Sequence, residues 1–187
     1  TIYVEDVVAV DVLTAVFDKV TRSRVSIVPI GSDAAVISLM AGLRKEKKKE
    51  KILGILDGDK GSDLPSRWNL FCKRLESYND KAEEVEWIKS RLMTLPGEKW
   101  PENWAVTKLK SCINDSILEA VGVTEFELLD IVEKAELAAK HSEFFVLSSE
   151  LYLDEIHLRK TISAHVAKNH KHEFLNIIQR VQELLLV

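Results

Sequence analysis

In the N-terminal half of the chain, short apolar runs alternate with stretches of helical spacing. Ile2, Tyr3 and Val4 predict a buried strand that stops at Glu5. Over residues 7–20, Val8, Val12, Val16 and Val20 share one helical face, and Asp6 stands in the N-cap position. Residues 25–30 (VSIVPI) predict a second strand. Gly31, Ser32 and Asp33 then form a turn that also caps a helix over 33–46, with Val36, Leu39, Met40 and Leu43 on its buried side. Residues 52–56 (ILGIL) are apolar on both faces, as a central parallel strand must be, and stop at Asp57. A helix follows over 66–77. Residues 91–95 (RLMTL) predict a weaker fourth strand, broken off by Pro96 and Gly97.

From Trp104 onward the spacing is helical, with helices predicted over 104–113, 124–140, 143–151, 154–167 and 170–186. The last carries a stripe of Phe174, Ile177, Ile178, Val181, Leu184 and Leu185, suited to a core or a subunit interface. The alternation of strand and helix predicts an α/β fold, a parallel sheet of about four strands flanked by helices, followed by an all-helical extension. Residues 1–105 form the first part and 106–187 the second. Right-handed crossovers bring every strand C-terminus to one edge of the sheet, where folds of this kind hold their sites.

The chain has 187 residues, 46% apolar and 30% charged, which excludes disorder, collagen-like repeats and a disulfide framework. The net charge is −4, so any nucleic-acid contact must be local. Charge is uneven: residues 44–51 (RKEKKKEK) hold six basic and two acidic side chains, residues 118–155 are net −8, and residues 156–187 are net +3. Cys72 and Cys112 lie in no C-x-x-C pattern and read as reduced thiols of a cytoplasmic protein. No apolar run reaches the ~18–20 residues a membrane span needs. The chain opens at Thr1, immediately before a core strand, and so reads as a piece of a longer protein.

Three acids fall on the predicted edge: Glu5 ends the first strand, and Asp57 and Asp59 end the third. In extended backbone Asp57 and Asp59 leave on the same face, and Gly58 between them opens the backbone to a ligand. Converging carboxylates repel unless a cation neutralises them, and Mg²⁺ takes oxygen ligands while keeping positions open for phosphate. Such ions serve phosphodiester cleavage. The competing reading is that Asp57 and Asp59 merely form a turn. Asp6 is expected to cap its helix and Asp11 to lie on that helix's solvent side.

A strand ending in Glu (YVED), a helix, a strand and turn (VSIVPIGSD), a helix, and a strand ending in D-x-D (ILGILDGD) resemble a Toprim domain, the topoisomerase–primase module. Within that group the chain most resembles the Toprim nuclease domain of the OLD (overcoming lysogenization defect) family, which includes Gabija-type antiphage nucleases. The resemblance covers residues 2–105 by motif. It implies a Toprim-like, Rossmannoid fold and a DNA endonuclease using Mg²⁺ or Mn²⁺. Glu5, Asp57 and Asp59 are then the catalytic and metal-binding acids. It further implies an ATPase domain of the same polypeptide, outside this chain, that gates cleavage, and a homo-oligomer. Two positions depart from the family pattern. Asp6 follows Glu5 where the family usually has Gly, and Ala9 stands where OLD nucleases often have a second acid. Glu98 and Glu102 are the candidates to compensate, Glu102 being preferred as a further metal ligand. For the family's lysine, Lys60, Lys108, Lys160, Lys168 and Lys171 are all candidates. The competing function is a catalytically degenerate Toprim scaffold that binds a partner protein, with a topoisomerase or primase module as a weaker third.

No Walker A and no G-x-G-x-x-G is present, so these routes to nucleotide are excluded. The 44–51 run reads as a solvated helix end, with a grip on DNA phosphate as the competing reading. His141, His157, His165, His170 and His172 all lie late, and their spacings do not put three imidazoles on one helix face. Trp68, Trp87, Trp100 and Trp104 read as packing residues between the sheet and the helical extension.

Overall fold

The computed structural model describes residues 1–46, 51–76 and 81–186. Four strands, β1 (Ile2–Val4), β2 (Ile27–Pro29), β3 (Leu53–Leu56) and β4 (Leu92–Thr94), form one sheet in the order β2-β1-β3-β4, every pair parallel. The fold is therefore α/β, as the alternation of elements predicts. The chain crosses from β1 outward to β2 and then back past β1 to β3. The gap between the C-terminal ends of β1 and β3 is thus the topological switch point of the sheet.

Helices cover both faces. On one side lie α3 (Asp33–Lys45), α4 (Leu64–Arg74) and α5 (Lys81–Lys89), with Val36, Ile37, Met40, Phe71 and Ile88 packed on Leu56 and Leu92. On the other lies α1 (Val7–Val16), which buries Val8, Val12, Leu13 and Val16. Its outer side packs on α10 (Glu155–Asn169), the most extensive helix–helix contact among the described residues. Around that pair sit α6 (Pro101–Leu109), α7 (Asp115–Val121), α8 (Glu125–Glu136), α9 (Glu143–Leu151) and α11 (Leu175–Leu186). Val4, Ile55, Val106, Ile162, Val166 and Phe174 belong to one continuous core. The division at 105/106 falls inside α6, and the sheet and the helical part share that core.

Several elements differ from their predicted extent. The run 7–20 breaks at Phe17, where the backbone turns extended, because Asp18 caps a separate helix, α2 (Lys19–Arg24), accepting from the Thr21 amide at 2.7 Å. Two helices were not predicted, α5 and α7. Asn114 caps α7 by accepting from the Ile117 amide, and Gly122 in left-handed backbone ends it. The predicted 66–77 helix starts at Leu64 with a proline in its first turn, and the predicted 104–113 helix starts at Pro101. The last helix is preceded by a 3₁₀ turn, Lys171–Phe174.

Three side-chain expectations are corrected. Asp11 is not on a solvent side, because α10 covers that face and Arg159 donates to its carboxylate at 2.8 Å. Trp68 and Trp87 pack with α4 and α5 on the far face of the sheet, whereas Trp104 lies in the core shared with the helical part. Arg44 is not a free helix end, since its guanidinium bonds both oxygens of buried Glu84 and one of Glu83. Residues 47–50 of the basic run lie outside the described residues. No helix among the described residues is long and apolar enough to cross a membrane.

An acidic cleft at the switch point

Glu5 follows β1 directly and is 9% exposed. Its Oε1 accepts from the Asp57 amide at 2.8 Å and its Oε2 from the Asp33 amide at 3.0 Å. The carboxylate thus joins the end of β3 to the first turn of α3. Burial pushes the Glu5 carboxyl above its ordinary value, and the hydrogen bond from Asp57 works against that shift.

Asp57 is 4% exposed and opens a 3₁₀ turn, Gly58–Asp63, with its side chain making no cap bond to that turn. A residue serving only as a turn former would spend its carboxylate on a nearby amide. Instead Oδ1 is buried with no hydrogen-bond partner. Burial first, then the charges of Glu5, Asp6, Glu102 and Asp59, push the Asp57 carboxyl up to about 8. Gly58 is required next to it, because a Cβ there would lie 2.6 Å from the Gly97 carbonyl oxygen and 2.8 Å from that of Lys99. The loop after β4 is packed directly on the turn after β3.

The 3₁₀ turn overturns the expectation that Asp57 and Asp59 leave an extended backbone on one face. Asp57 turns inward toward Glu5, whereas Asp59 Oδ2 accepts from Lys60 Nζ at 2.7 Å and faces Lys140 Nζ at 3.5 Å. Burial raises the Asp59 carboxyl, but Lys60 and Lys140 together outweigh it and hold it below its usual value. Its Oδ1 is buried without a partner.

Glu102 enters from the first turn of α6 and is 8% exposed. Its Oε1 lies 3.0 Å from His141 Nδ1, and its Oε2 is buried with no partner. Burial and then the charge of Asp6 raise its carboxyl above the usual range. Asp6 does cap α1, accepting from the Ala9 amide at 2.9 Å, and it also reaches the cleft. Lys140 and His141 come from the loop between α8 and α9, and Lys140 Nζ stands over the Trp100 ring at 4.8 Å. Trp100 is itself anchored by donating to buried Glu143 at 2.5 Å. Glu5, Asp6, Gly31, Asp57, Lys60, Glu102, Lys140 and His141 line a cleft of about 310 Å³.

The fold brings Glu5, Asp57 and Glu102 to one cleft, and with them Lys60, while Asp59 stands beside it, held by Lys60 and Lys140. Among the described residues, the donor atoms that converge here within 4.8 Å are those of Asp6, Glu102 and His141. It leaves Glu98 exposed on the surface, and it buries Ala9 fully in the core, where a carboxylate would have no water. Lys108 is engaged elsewhere, with Glu173 at 2.5 Å, and Lys160, Lys168 and Lys171 are exposed on and beyond α10. Sequence reasoning missed Lys140, His141 and the second role of Asp6. No spacing rule links a loop between late helices to the ends of early strands. In a second cluster, His170, His172 and Glu173, two of the three groups are engaged: Trp104 and Lys108 donate to Glu173, and Ser111 contacts His170.

The donor set suits a hard divalent cation. It is built of carboxylates, and three of them, Asp57, Asp59 and Glu102, keep a buried oxygen that no protein group satisfies. Comparison with family models, with curated proteins and with solved structures finds no match.

Proposed function

We propose that this chain is the catalytic part of a metal-dependent DNA endonuclease of the Toprim kind, similar to the nucleases of the OLD family. The observation that carries the reading is Asp57. A carboxyl with an unpartnered oxygen, buried among four other acids and pushed up to about 8, is a group waiting for a cation. Glu5, Asp57 and Asp59 would hold Mg²⁺ or Mn²⁺, with Glu102 facing the same cleft. A cation there supplies Lewis acidity toward water and toward the scissile phosphate.

The chain's own groups have distinct tasks. Glu5 fixes the position of Asp57 through the Asp57 amide, so the donor oxygens are set before any ligand arrives. Asp57 gives up its proton when a cation binds. Lys60 and Lys140 hold Asp59 and provide the positive charge that an incoming phosphate backbone needs in an otherwise acidic cleft. Trp100 keeps the Lys140 side chain over its ring. The larger assembly belongs to the same proposal: an ATPase domain of the same polypeptide that gates cleavage, a homo-oligomer, a cytoplasmic location and a role in antiphage defence.

The test is cleavage of plasmid DNA by the chain, and by the longer polypeptide carrying the ATPase domain, with Mg²⁺, Mn²⁺ or chelator. Cation-dependent nicking that disappears in Asp57→Asn supports the reading. Cleavage untouched by Asp57→Asn removes the cleft from the reaction.

One observation favours a second reading. Both Glu5 oxygens are already engaged by backbone amides, which suffices to explain a buried glutamate in a scaffold. Phe126, Leu137 and Tyr152 are exposed on the helical part, as a partner-binding module would have them. That reading expects no change in melting temperature with Mg²⁺.

A further inference from the structure

We propose that Asp6, Glu102 and His141 form a mixed nitrogen–oxygen site for a divalent transition-metal cation, separate from the site at Glu5, Asp57 and Asp59, and that His141 gives it a preference for Mn²⁺ over Mg²⁺. The inference builds on the reading of the cleft as a cation site, and it does not require that the cleft cut DNA.

The three residues come from three unrelated elements: the cap of α1, the first turn of α6 and the loop between α8 and α9. One donor atom from each lies within 4.8 Å of the other two. Asp6 is held in place by its capping bond from the Ala9 amide, and after burial its charge is the main one working against ionisation of Glu102. His141 meets only part of the need of Glu102. It lies against Oε1, while Oε2 is buried with nothing to bond. A carboxylate oxygen buried in that way points to a ligand.

His141 adopts left-handed backbone, φ 64, which is uncommon outside glycine and concentrates at functional positions. Its Nδ1 lies 3.0 Å from Glu102 Oε1. Its side chain is 47% exposed, so the triad has an entry path from solvent. Two carboxylates alone would suit Mg²⁺ or Ca²⁺. Adding an imidazole nitrogen shifts preference to the transition metals, because Mg²⁺ holds to oxygen ligands and gives up its water reluctantly. The Glu5–Asp57–Asp59 group contains no nitrogen donor and lacks that bias.

The experiment is Mn²⁺ titration of the chain, followed by paramagnetic resonance of free Mn²⁺, with Mg²⁺ in large excess. Wild type should retain one Mn²⁺ that Mg²⁺ does not displace. His141→Asn suits the left-handed backbone and removes the imidazole. It should weaken that Mn²⁺ by at least about tenfold in a chain that still unfolds cooperatively without metal. Glu102→Gln should do likewise. Bound Mn²⁺ should also broaden the His141 ring resonances in NMR. Asp57→Asn should leave this Mn²⁺ in place and remove only the Mg²⁺-dependent stabilisation. Wild-type Mn²⁺ affinity in both His141→Asn and Glu102→Gln, or equal displacement by Mg²⁺, overturns the proposal. Absence of cleavage and of any Mg²⁺ effect, with Mn²⁺ retention still dependent on His141, defeats the nuclease reading and leaves this one standing.

Discussion

The amide of Asp57 donates to Glu5 Oε1 at 2.8 Å, so the residues that end the two central strands are bonded to each other across the switch point of the sheet. The same carboxylate accepts from Asp33 at the start of α3. Glu5 therefore holds three chain segments in register and presents an acid to the cleft.

Glu5→Ala leaves two amides without their acceptor, one of them buried. The expected cost is about 1–3 kcal/mol for the orphaned donor, read as a lower urea midpoint. Glu5→Gln keeps an oxygen for one amide and turns an NH₂ toward the other, so its loss should be intermediate. An unchanged midpoint in both variants would mean that the two bonds carry no stability.

The raised carboxyl of Asp57 sets a pH dependence opposite to that of an ordinary paired acid. In the folded chain Asp57 keeps its proton up to about 8, whereas in the unfolded chain it loses it near the usual value of about 3.9. Between those limits the folded state binds more protons, so its contribution is complete below about pH 4 and is lost progressively as pH rises to about 8. The raised carboxyls of Glu5 and Glu102 act in the same direction. Metal-free melting curves should show stability falling across this range. Asp57→Asn should match wild type at the acidic end and exceed it at the alkaline end. A wild-type chain that gains stability with pH through this window would contradict the assignment.

Gly58→Ala should destabilise by about 1–3 kcal/mol through overpacking, because its Cβ would meet two backbone carbonyls that cannot rotate away. For a chain of this length that is a fall of roughly 2–4 °C in Tm for each kcal/mol. The displaced loop carries Trp100, so Lys140 should lose its seat as well. A melting temperature equal to wild type would show that the two loops part without cost.

Lys140→Met tests the approach of phosphate to the cleft. It should weaken DNA binding and reduce the salt dependence of affinity by about one unit of slope. Lys160→Met, exposed on α10, should change neither. Equal effects from the two lysines would mean that DNA is held by general charge and not at the cleft.

The strands and the switch point were legible because each apolar run ends abruptly in an acid or a turn, and parallel strands buried on both faces leave that mark. The break in the first helix was not, because four valines continue the apolar spacing through Phe17, and only the capping bond of Asp18 decides against it. Asp57 and Asp59 were found as a pair but assigned the wrong relation. The period of an extended strand was applied to residues that curl into a 3₁₀ turn. Glu102 was reached only as a compensating acid, and its partner His141 not at all. Their proximity is created by packing between α6 and the loop after α8, which no local pattern encodes.

The contact between Asp59 and Lys140 spans 81 residues, and that between Glu102 and His141 spans 39. The acids are therefore made first with only Lys60 beside them, and the lysine and imidazole that complete the cleft, Lys140 and His141, arrive with the helical part. A partly made or C-terminally clipped chain would carry an unbalanced knot of carboxylates at its sheet edge and no working cleft. Folding of the helical part is in this sense a built-in delay: whatever chemistry the acids perform is withheld until the loop after α8 has docked against the sheet edge.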